Sequence, residues 1–125
     1  MQSIETIIER LAALPGTDAL FNPYGPLEDP LAGARRANLR RFLTMLYERH
    51  ARVLLLAEAP GYRGCAWTGI PVTSERIMLA GGDRWGLFGE GYWATSGVPG
   101  GVAEMSATIL WGALTEAASE PPVIW

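Results

Sequence analysis

Cysteine is almost absent from this chain of 125 residues, in which Cys65 is the single one. A lone thiol cannot form an internal disulfide, and it cannot by itself hold a zinc ion or an iron–sulfur cluster. Lone cysteines are usually small buried or half-buried residues, so we expect Cys65 to be one. The sequence therefore indicates no cofactor and no metal.

Long hydrophobic runs are also missing. The longest uninterrupted run covers 53–57, far short of the roughly 18–20 apolar residues that cross a membrane. Residues 1–5 lack the basic start and the apolar stretch of a signal peptide. We therefore expect a cytoplasmic protein with no membrane contact.

Charge is sparse and slightly acidic. Charged residues make up 18% of the chain, and the net charge is −3. Non-specific nucleic-acid binding usually needs a basic surface, so this balance argues weakly against it, while a local basic patch stays open. His50, the single histidine, is predicted to be a solvated residue at a helix C-terminus.

Apolar residues make up 49% of the chain, which is enough for the core of one domain. Residues 17–30 contain three prolines and predict a loop. A first helix is predicted by apolar residues that recur at helical spacing behind a cap at Ser3: Ile4, Ile7, Ile8, Leu11 and Leu14.

A second helix is predicted over about 31–50. Its apolar stripe is formed by Leu39, Phe42, Leu43 and Leu46. Four arginines lie away from that stripe: Arg35, Arg36, Arg40 and Arg41. Their first interpretation is a solvated helix face, and the alternative is contact with a DNA backbone.

The second half of the chain predicts an α/β pattern. Residues 53–57 are apolar throughout, which is typical of a strand buried on both faces of a parallel sheet. A short helix follows over 74–79 behind a cap at Ser74, then a helix over about 103–118 and a second strand from Val123. Between the helices, 83–101 is rich in glycine and aromatic residues; these cover the end of a sheet or stack on single-stranded bases.

The predicted fold class is α/β, a three-layer α/β/α arrangement with a parallel sheet of which only the N-terminal part is present. We expect one incomplete domain over 1–125, with N-terminal helices in 1–50 and the start of the α/β core in 51–125. Two parallel strands protect backbone groups poorly. The unpaired sheet edge therefore predicts self-association.

The strongest candidate site residues lie in the stretches 55–62 and 68–75. They predict a strand that delivers the Glu58 carboxylate and a Pro60-Gly61 turn to the carboxyl edge of the sheet, where ligands bind in open α/β sheets. Gly61 lets backbone amides approach a ligand closely because it has no side chain. Spacing alone predicts only a general ligand pocket.

The segment 58–61, Glu-Ala-Pro-Gly, resembles the first motif of the uracil-DNA glycosylase superfamily, which reads Gly-Glu-Ala-Pro-Gly in several branches. The segment 68–73 is similar to the family's Thr-Gly-x-Pro-Phe-Thr pattern, and a looser likeness extends over about 53–125. The resemblance implies a DNA-repair glycosylase-like domain that, when complete, hydrolyses the N-glycosidic bond of a flipped uracil. Its partner would be uracil-containing DNA, single- or double-stranded.

The resemblance also implies roles for individual residues. Glu58 would be the catalytic carboxylate that positions water or stabilises the sugar cation; a capping or salt-bridged acid is the alternative. Base binding would fall to Ala59, Pro60, Gly61, Tyr62 and Val72. DNA-phosphate contacts would come from Thr73, Ser74 and Ser106, the last at a helix start, where a cap or a packed residue is the alternative.

Two departures from the family pattern bear on these roles. Ala59 stands where the best-known branch has an aspartate, so the water-activating role of that aspartate does not transfer. Val72 stands where the family has the phenylalanine that stacks on uracil. The asparagine that recognises uracil and the later histidine motif would both lie beyond Trp125.

Two other functions stay open. One is a relative that binds nucleic acid or protein without cleaving it. The other is an unrelated α/β small-molecule enzyme that uses the Glu58 loop.

Overall fold

The computed structural model describes residues 3–125. Over that range the chain forms five helices and two short strands. In chain order they are α1 (Ile4–Ala12), α2 (Pro30–Glu48), β1 (Leu54–Leu55), α3 (Cys65–Thr68), α4 (Glu75–Ala80), α5 (Met105–Ala117) and β2 (Val123–Ile124). Within the same range, no helix is long and apolar enough to cross a bilayer.

Side-chain caps define where several helices begin. The Ser3 hydroxyl accepts a hydrogen bond from the Thr6 N–H, and the Ser74 hydroxyl accepts one from Ile77, so both predicted caps are confirmed. Asp29 caps α2 in the same way, ahead of a proline in the first turn. The last helix begins two residues later than predicted because Glu104 caps it.

The two strands form a parallel pair. Leu54 lies opposite Val123, and Leu55 lies opposite Ile124. The Val53 carbonyl accepts from the Val123 N–H at 2.8 Å, and pairing continues past the strands. The mixed α/β class is therefore confirmed, with a short two-stranded parallel sheet.

Burial of the first strand on both faces was predicted, and this prediction is wrong. Leu54 is 56% exposed and Leu56 is 75% exposed, whereas Leu55 packs against the core. Side chains alternate between the two faces of a strand. One face of β1 is therefore packed, and the other has no layer over it in residues 3–125.

The main core joins the first and second halves of the chain. The Phe42 ring of α2 stacks on Phe88 with centroids 5.7 Å apart. Trp111 of α5 meets Phe88 edge-on at 4.8 Å. The aromatic segment 83–101 thus contributes core residues, Phe88 and Tyr92 among them, while Trp93 is exposed.

The prediction of a solvated arginine face on α2 is wrong for Arg35, which is only 3% exposed. Its guanidinium donates to the Thr95 hydroxyl at 3.3 Å. Arg36 donates to the carbonyls of Tyr24 and Leu27. Both side chains therefore bind neighbouring loops, because backbone carbonyls there need donors.

The other two arginines of α2 also have protein partners. Arg40 forms a two-bonded ion pair with Glu5 of α1, with Nη2 to Oε2 at 2.9 Å. Arg41 lies over the Tyr92 ring, 5.3 Å from its centroid. The arginines thus connect α2 to α1 and to the 83–101 segment.

Candidate functional site

A cavity of about 190 Å³ lies at the carboxyl end of β1. The segment that follows the strand, 57–60, forms one wall, and Pro71 with Val72 forms another. The remaining lining comes from four residues distant in sequence: Leu11, Tyr24, Cys65 and Trp125. Both segments predicted to carry the site therefore meet around one cavity, and they include Glu58, Ala59, Pro60 and Val72.

Val72 adopts a strained backbone. Its φ angle is +45°, a left-handed value that is rare for a β-branched residue. The Val72 carbonyl accepts a hydrogen bond from the Trp111 indole N–H at 3.0 Å, which helps to hold this conformation. Strained residues of this kind concentrate at ligand sites.

Two threonine hydroxyls shape the 68–73 turn. The Thr68 hydroxyl lies 3.0 Å from the Thr73 carbonyl and accepts the Ile70 N–H at 3.0 Å. The Thr73 hydroxyl donates to the Pro71 carbonyl at 3.0 Å and accepts from the Trp111 indole. The threonines of this motif therefore fix the wall of the cavity from behind.

Tyr24 and Cys65 form an uncharged part of the lining. The Tyr24 hydroxyl donates to the Gly69 carbonyl at 2.8 Å and lies 3.6 Å from the Cys65 sulfur. Burial raises the pKa of both groups, and that of Cys65 reaches about 11 although Tyr24 and Arg35 act to lower it. At neutral pH both groups are therefore protonated. The expected burial of Cys65 is confirmed.

Glu58 is the one charged side chain among the residues that line the cavity. It lies in the bend after β1 and is exposed. A carboxylate at the mouth of an apolar, uncharged cavity can bind a water molecule or face a developing positive charge. That position is compatible with the catalytic role implied by the resemblance.

Gly61 and Tyr62 do not line the cavity. Tyr62 is 81% exposed. The Gly61 carbonyl accepts hydrogen bonds from the backbone N–H groups of Gly64 and Ala66, which lead into α3. These two residues therefore form the turn beyond the cavity.

The residues expected to contact DNA phosphate have internal partners. Thr73 and Ser74 are fully buried, and the Ser74 hydroxyl caps α4. Ser106 is exposed, yet its N–H donates to the Glu104 carboxylate at 2.9 Å, as does Ala107 at 2.7 Å. A phosphate at these groups would have to displace bonds already made.

Glu104 occupies the place that a bound anion would take at the start of α5. Burial by itself would raise its pKa, but hydrogen bonds from Ala107 and Ser106 lower it below its usual value. The carboxylate therefore stays ionised and satisfies the first amides of the helix. The cap of α5 is therefore Glu104, and Ser106 is an exposed residue of the first helical turn, neither the cap nor a packed residue.

The sequence did not indicate Tyr24, Trp125 or Leu11 as site residues. No local pattern could have indicated Tyr24, because its partners lie 41 and 45 residues further along the chain. Trp125 reaches the cavity because β2 lies beside β1 and its backbone N–H donates to the Leu55 carbonyl. Only strand pairing brings Trp125 to Glu58.

The other surface features are weaker candidates for a functional site. A wider groove of about 900 Å³ follows the loop 12–29, but it is open to solvent and lined largely by that loop itself. In the part of the chain that the structure describes, no group of three or more His, Cys, Asp or Glu side chains could hold a metal ion.

Comparisons of the chain with protein-family models, with curated proteins and with solved structures gave no match. Function must therefore be inferred from the residues and their arrangement.

Proposed function

We propose that the chain is a glycosylase-like domain of DNA repair that binds a uracil base in the cavity beside Glu58 and hydrolyses its N-glycosidic bond. The observation that supports this is the meeting of 58–60 with 71–72 around one cavity. These are the segments that resemble the two uracil-DNA glycosylase motifs. The three-layer α/β/α arrangement and a cytoplasmic location belong to the same proposal.

The size of the cavity suits a single small ring. Pockets for drug-sized ligands have volumes of roughly 300–1,000 Å³, and this cavity has about 190 Å³. One pyrimidine ring would enter it, while sugar and phosphate stay outside. Such binding needs the base to leave its stack, as in other base-flipping enzymes.

Aromatic surface is available without the family's phenylalanine. Val72 has no π-face, but Trp125 and Tyr24 both line the cavity. Stacking of a base on an aromatic ring is worth about 1–3 kcal/mol. We assign that contribution to Trp125, with Tyr24 as the uncharged polar group nearby.

Glu58 fits the chemistry of the reaction. The bond between the base nitrogen and C1′ breaks, the electron pair leaves with the base, and C1′ becomes an oxocarbenium-like cation that water attacks. A carboxylate at the mouth orients that water, accepts its proton and stabilises the cation electrostatically. The cavity itself is uncharged, so Glu58 would supply the local charge.

The test is cleavage of single-stranded DNA that contains one uracil, with alkali to reveal abasic sites. We expect strand scission with the unaltered chain and a rate at least about 100-fold lower in Glu58→Gln. Glu90→Gln, an exposed acid away from the cavity, is the matched control and should keep the rate. No scission at high protein excess, or an unchanged rate in Glu58→Gln, would refute the enzymatic role.

A second candidate is base binding without cleavage. Ala59 favours it, since this residue stands where the best-known branch has its water-activating aspartate. Trp125→Leu should then weaken binding of uracil-containing DNA about 10-fold, measured by fluorescence anisotropy. Tyr47→Leu, an exposed aromatic of α2 outside the cavity, is the control and should change nothing.

A further inference from the structure

The outer edge of β1 is a row of backbone groups without a neighbouring strand. On the inner side, the carbonyls of Val53 and Leu55 accept from β2, and the Ala57 N–H donates to Trp125. Along a strand, successive residues direct their N–H and C=O groups to opposite sides. Leu54 and Leu56 therefore direct theirs outwards, where the sheet has no further strand in residues 3–125.

This edge has none of the usual protection against pairing. Proteins place lysine, proline, a bulge or an inward-pointing charge on exposed edges. The chain contains no lysine at all, and 53–57 contains neither charge nor proline. The side chains of Leu54 and Leu56 are also more than half exposed on the same face.

We propose that two copies of this chain associate through their β1 edges, antiparallel and centred on Leu55, into one continuous four-stranded sheet. In this register Leu54 of each copy lies opposite Leu56 of the second copy. Both residues direct their N–H and C=O groups outwards, so each such pair can exchange two hydrogen bonds. Leu55 then lies opposite its own counterpart on the two-fold axis.

Charge selects this register. Arg52 and Glu58 each lie three residues from Leu55, on opposite sides. Antiparallel pairing centred on Leu55 therefore brings Arg52 of each copy near Glu58 of the second copy, just beyond each end of the ladder, where the chain bends after β1. A shift of the centre to Leu54 or to Leu56 would break both charge pairs.

Both charged side chains are exposed at the surface and can reach across. Arg52 is exposed, and its present bond to Glu120 at 2.7 Å is a surface ion pair of the kind that contributes little. Its guanidinium has five donors, so it can bind Glu120 and a second carboxylate together. The pairing would also bring an arginine of the second copy to the mouth of each cavity, beside Glu58.

The test is sedimentation velocity over a wide concentration series, with circular dichroism to verify folding. We expect a reversible monomer–dimer equilibrium that Leu56→Lys shifts to monomer. Ile109→Lys, on an exposed apolar position of α5, is the matched control and should leave the dimer unchanged. A monomer at every concentration overturns the proposal, as does a dimer that Ile109→Lys abolishes and Leu56→Lys does not.

Charge reversal tests the register. Arg52→Glu and Glu58→Arg should each weaken dimerisation about 10-fold, because like charges then face each other at both ends. The double variant restores opposite charges and should regain most of the loss. Failure of the double variant to recover overturns this register. Hydrogen exchange gives a second readout, in which the amides of Leu54 and Leu56 become protected as concentration rises.

Sedimentation velocity and hydrogen exchange both measure association without any dependence on glycosylase activity. A dimer with these properties would stand even if uracil-containing DNA were not cleaved.

Discussion

Glu75 is the buried acid on which the loop beyond α4 depends. Its side chain is fully buried, and its carboxylate accepts the N–H groups of Thr95 at 2.7 Å, Ser96 at 3.1 Å and Val102 at 3.2 Å. Burial alone would raise the pKa of Glu75, but the bonds from Ser96, Val102 and Thr95 outweigh burial and lower it. The carboxylate thus remains charged in the folded protein.

We expect Glu75→Gln to lower the free energy of unfolding by about 1–3 kcal/mol, since the amide nitrogen would face N–H donors. Urea denaturation at neutral pH measures this loss, and Glu90→Gln, on an exposed acid, is the control. Equal stability of Glu75→Gln and the unaltered chain would contradict this role of the carboxylate.

The same bond network sets a pH dependence. A lowered folded-state pKa means that the stabilisation is present above about 4.5, the unfolded value, and is lost as pH falls through the lower folded value. Glu75→Gln should therefore lose less stability on acidification than the unaltered chain.

For single residues, prediction from the sequence succeeds where the hydrogen-bond partners are close together in the chain. Ser3 and Ser74 cap helices through N–H groups three residues away, so local pattern is sufficient to find them. The partners of Glu75 lie 20 to 27 residues away, and no local pattern fixes them. The shape of the cavity likewise depends on residues that are far apart in the sequence.

Asn38 links α2 to two segments that no helix pattern would join to it. Its amide nitrogen donates to the carbonyls of Thr68 and Trp93, both at 2.9 Å, and its amide oxygen accepts the Trp93 N–H. The side chain is fully buried, so these groups have no water to replace a lost partner. Asn38 therefore joins the end of α3 to the 83–101 segment.

We expect Asn38→Leu to lower the free energy of unfolding by about 3 kcal/mol, because it leaves buried polar groups of Thr68 and Trp93 without hydrogen-bond partners. Thermal and urea denaturation measure the change. Glu48→Leu, on the exposed face of the same helix, should stay within about 0.5 kcal/mol. A loss in Asn38→Leu no larger than this control would show that the three bonds do not matter.

The elements themselves were predicted unequally well. The first helix is confirmed over Ile4–Ala12, although Leu14, predicted on its apolar face, lies beyond its end and is 57% exposed. The apolar stripe of α2 is confirmed, because a repeating apolar spacing depends only on the helix itself. The position of β1 was also predicted, but the prediction that both of its faces are buried is wrong. Burial of a strand depends on which layers lie over each face, and the composition of 53–57 cannot reveal that.

At the scale of the whole molecule, one core connects the helices to the α/β part. Phe42 of α2, from the N-terminal helices, packs with Phe88 and Trp111 of the second half of the chain. Cys65 lies in the interior, 3.6 Å from the Tyr24 hydroxyl. The residue is only 1% exposed, and a thiol dye larger than the cavity therefore reaches its sulfur only when the surrounding structure opens.

Cys65 should accordingly report on opening of the fold. Burial raises its pKa to about 11, so little thiolate forms at pH 8, and the sulfur is also shielded. We expect a thiol-specific dye to react at least roughly 100-fold more slowly with the native chain than with the denatured one. Rapid reaction of one thiol in native buffer would contradict this burial.

The arginines of α2 have a consequence for any encounter with DNA. Affinity for duplexes usually comes from Lys and Arg that neutralise phosphates and release counterions, and it then falls steeply with salt. Here Arg35, Arg36 and Arg40 are bound to protein groups, and the chain has no lysine. These three arginines therefore offer little free charge to a phosphate. Recognition would depend on what enters the cavity, and the residence time on DNA would be set by the base.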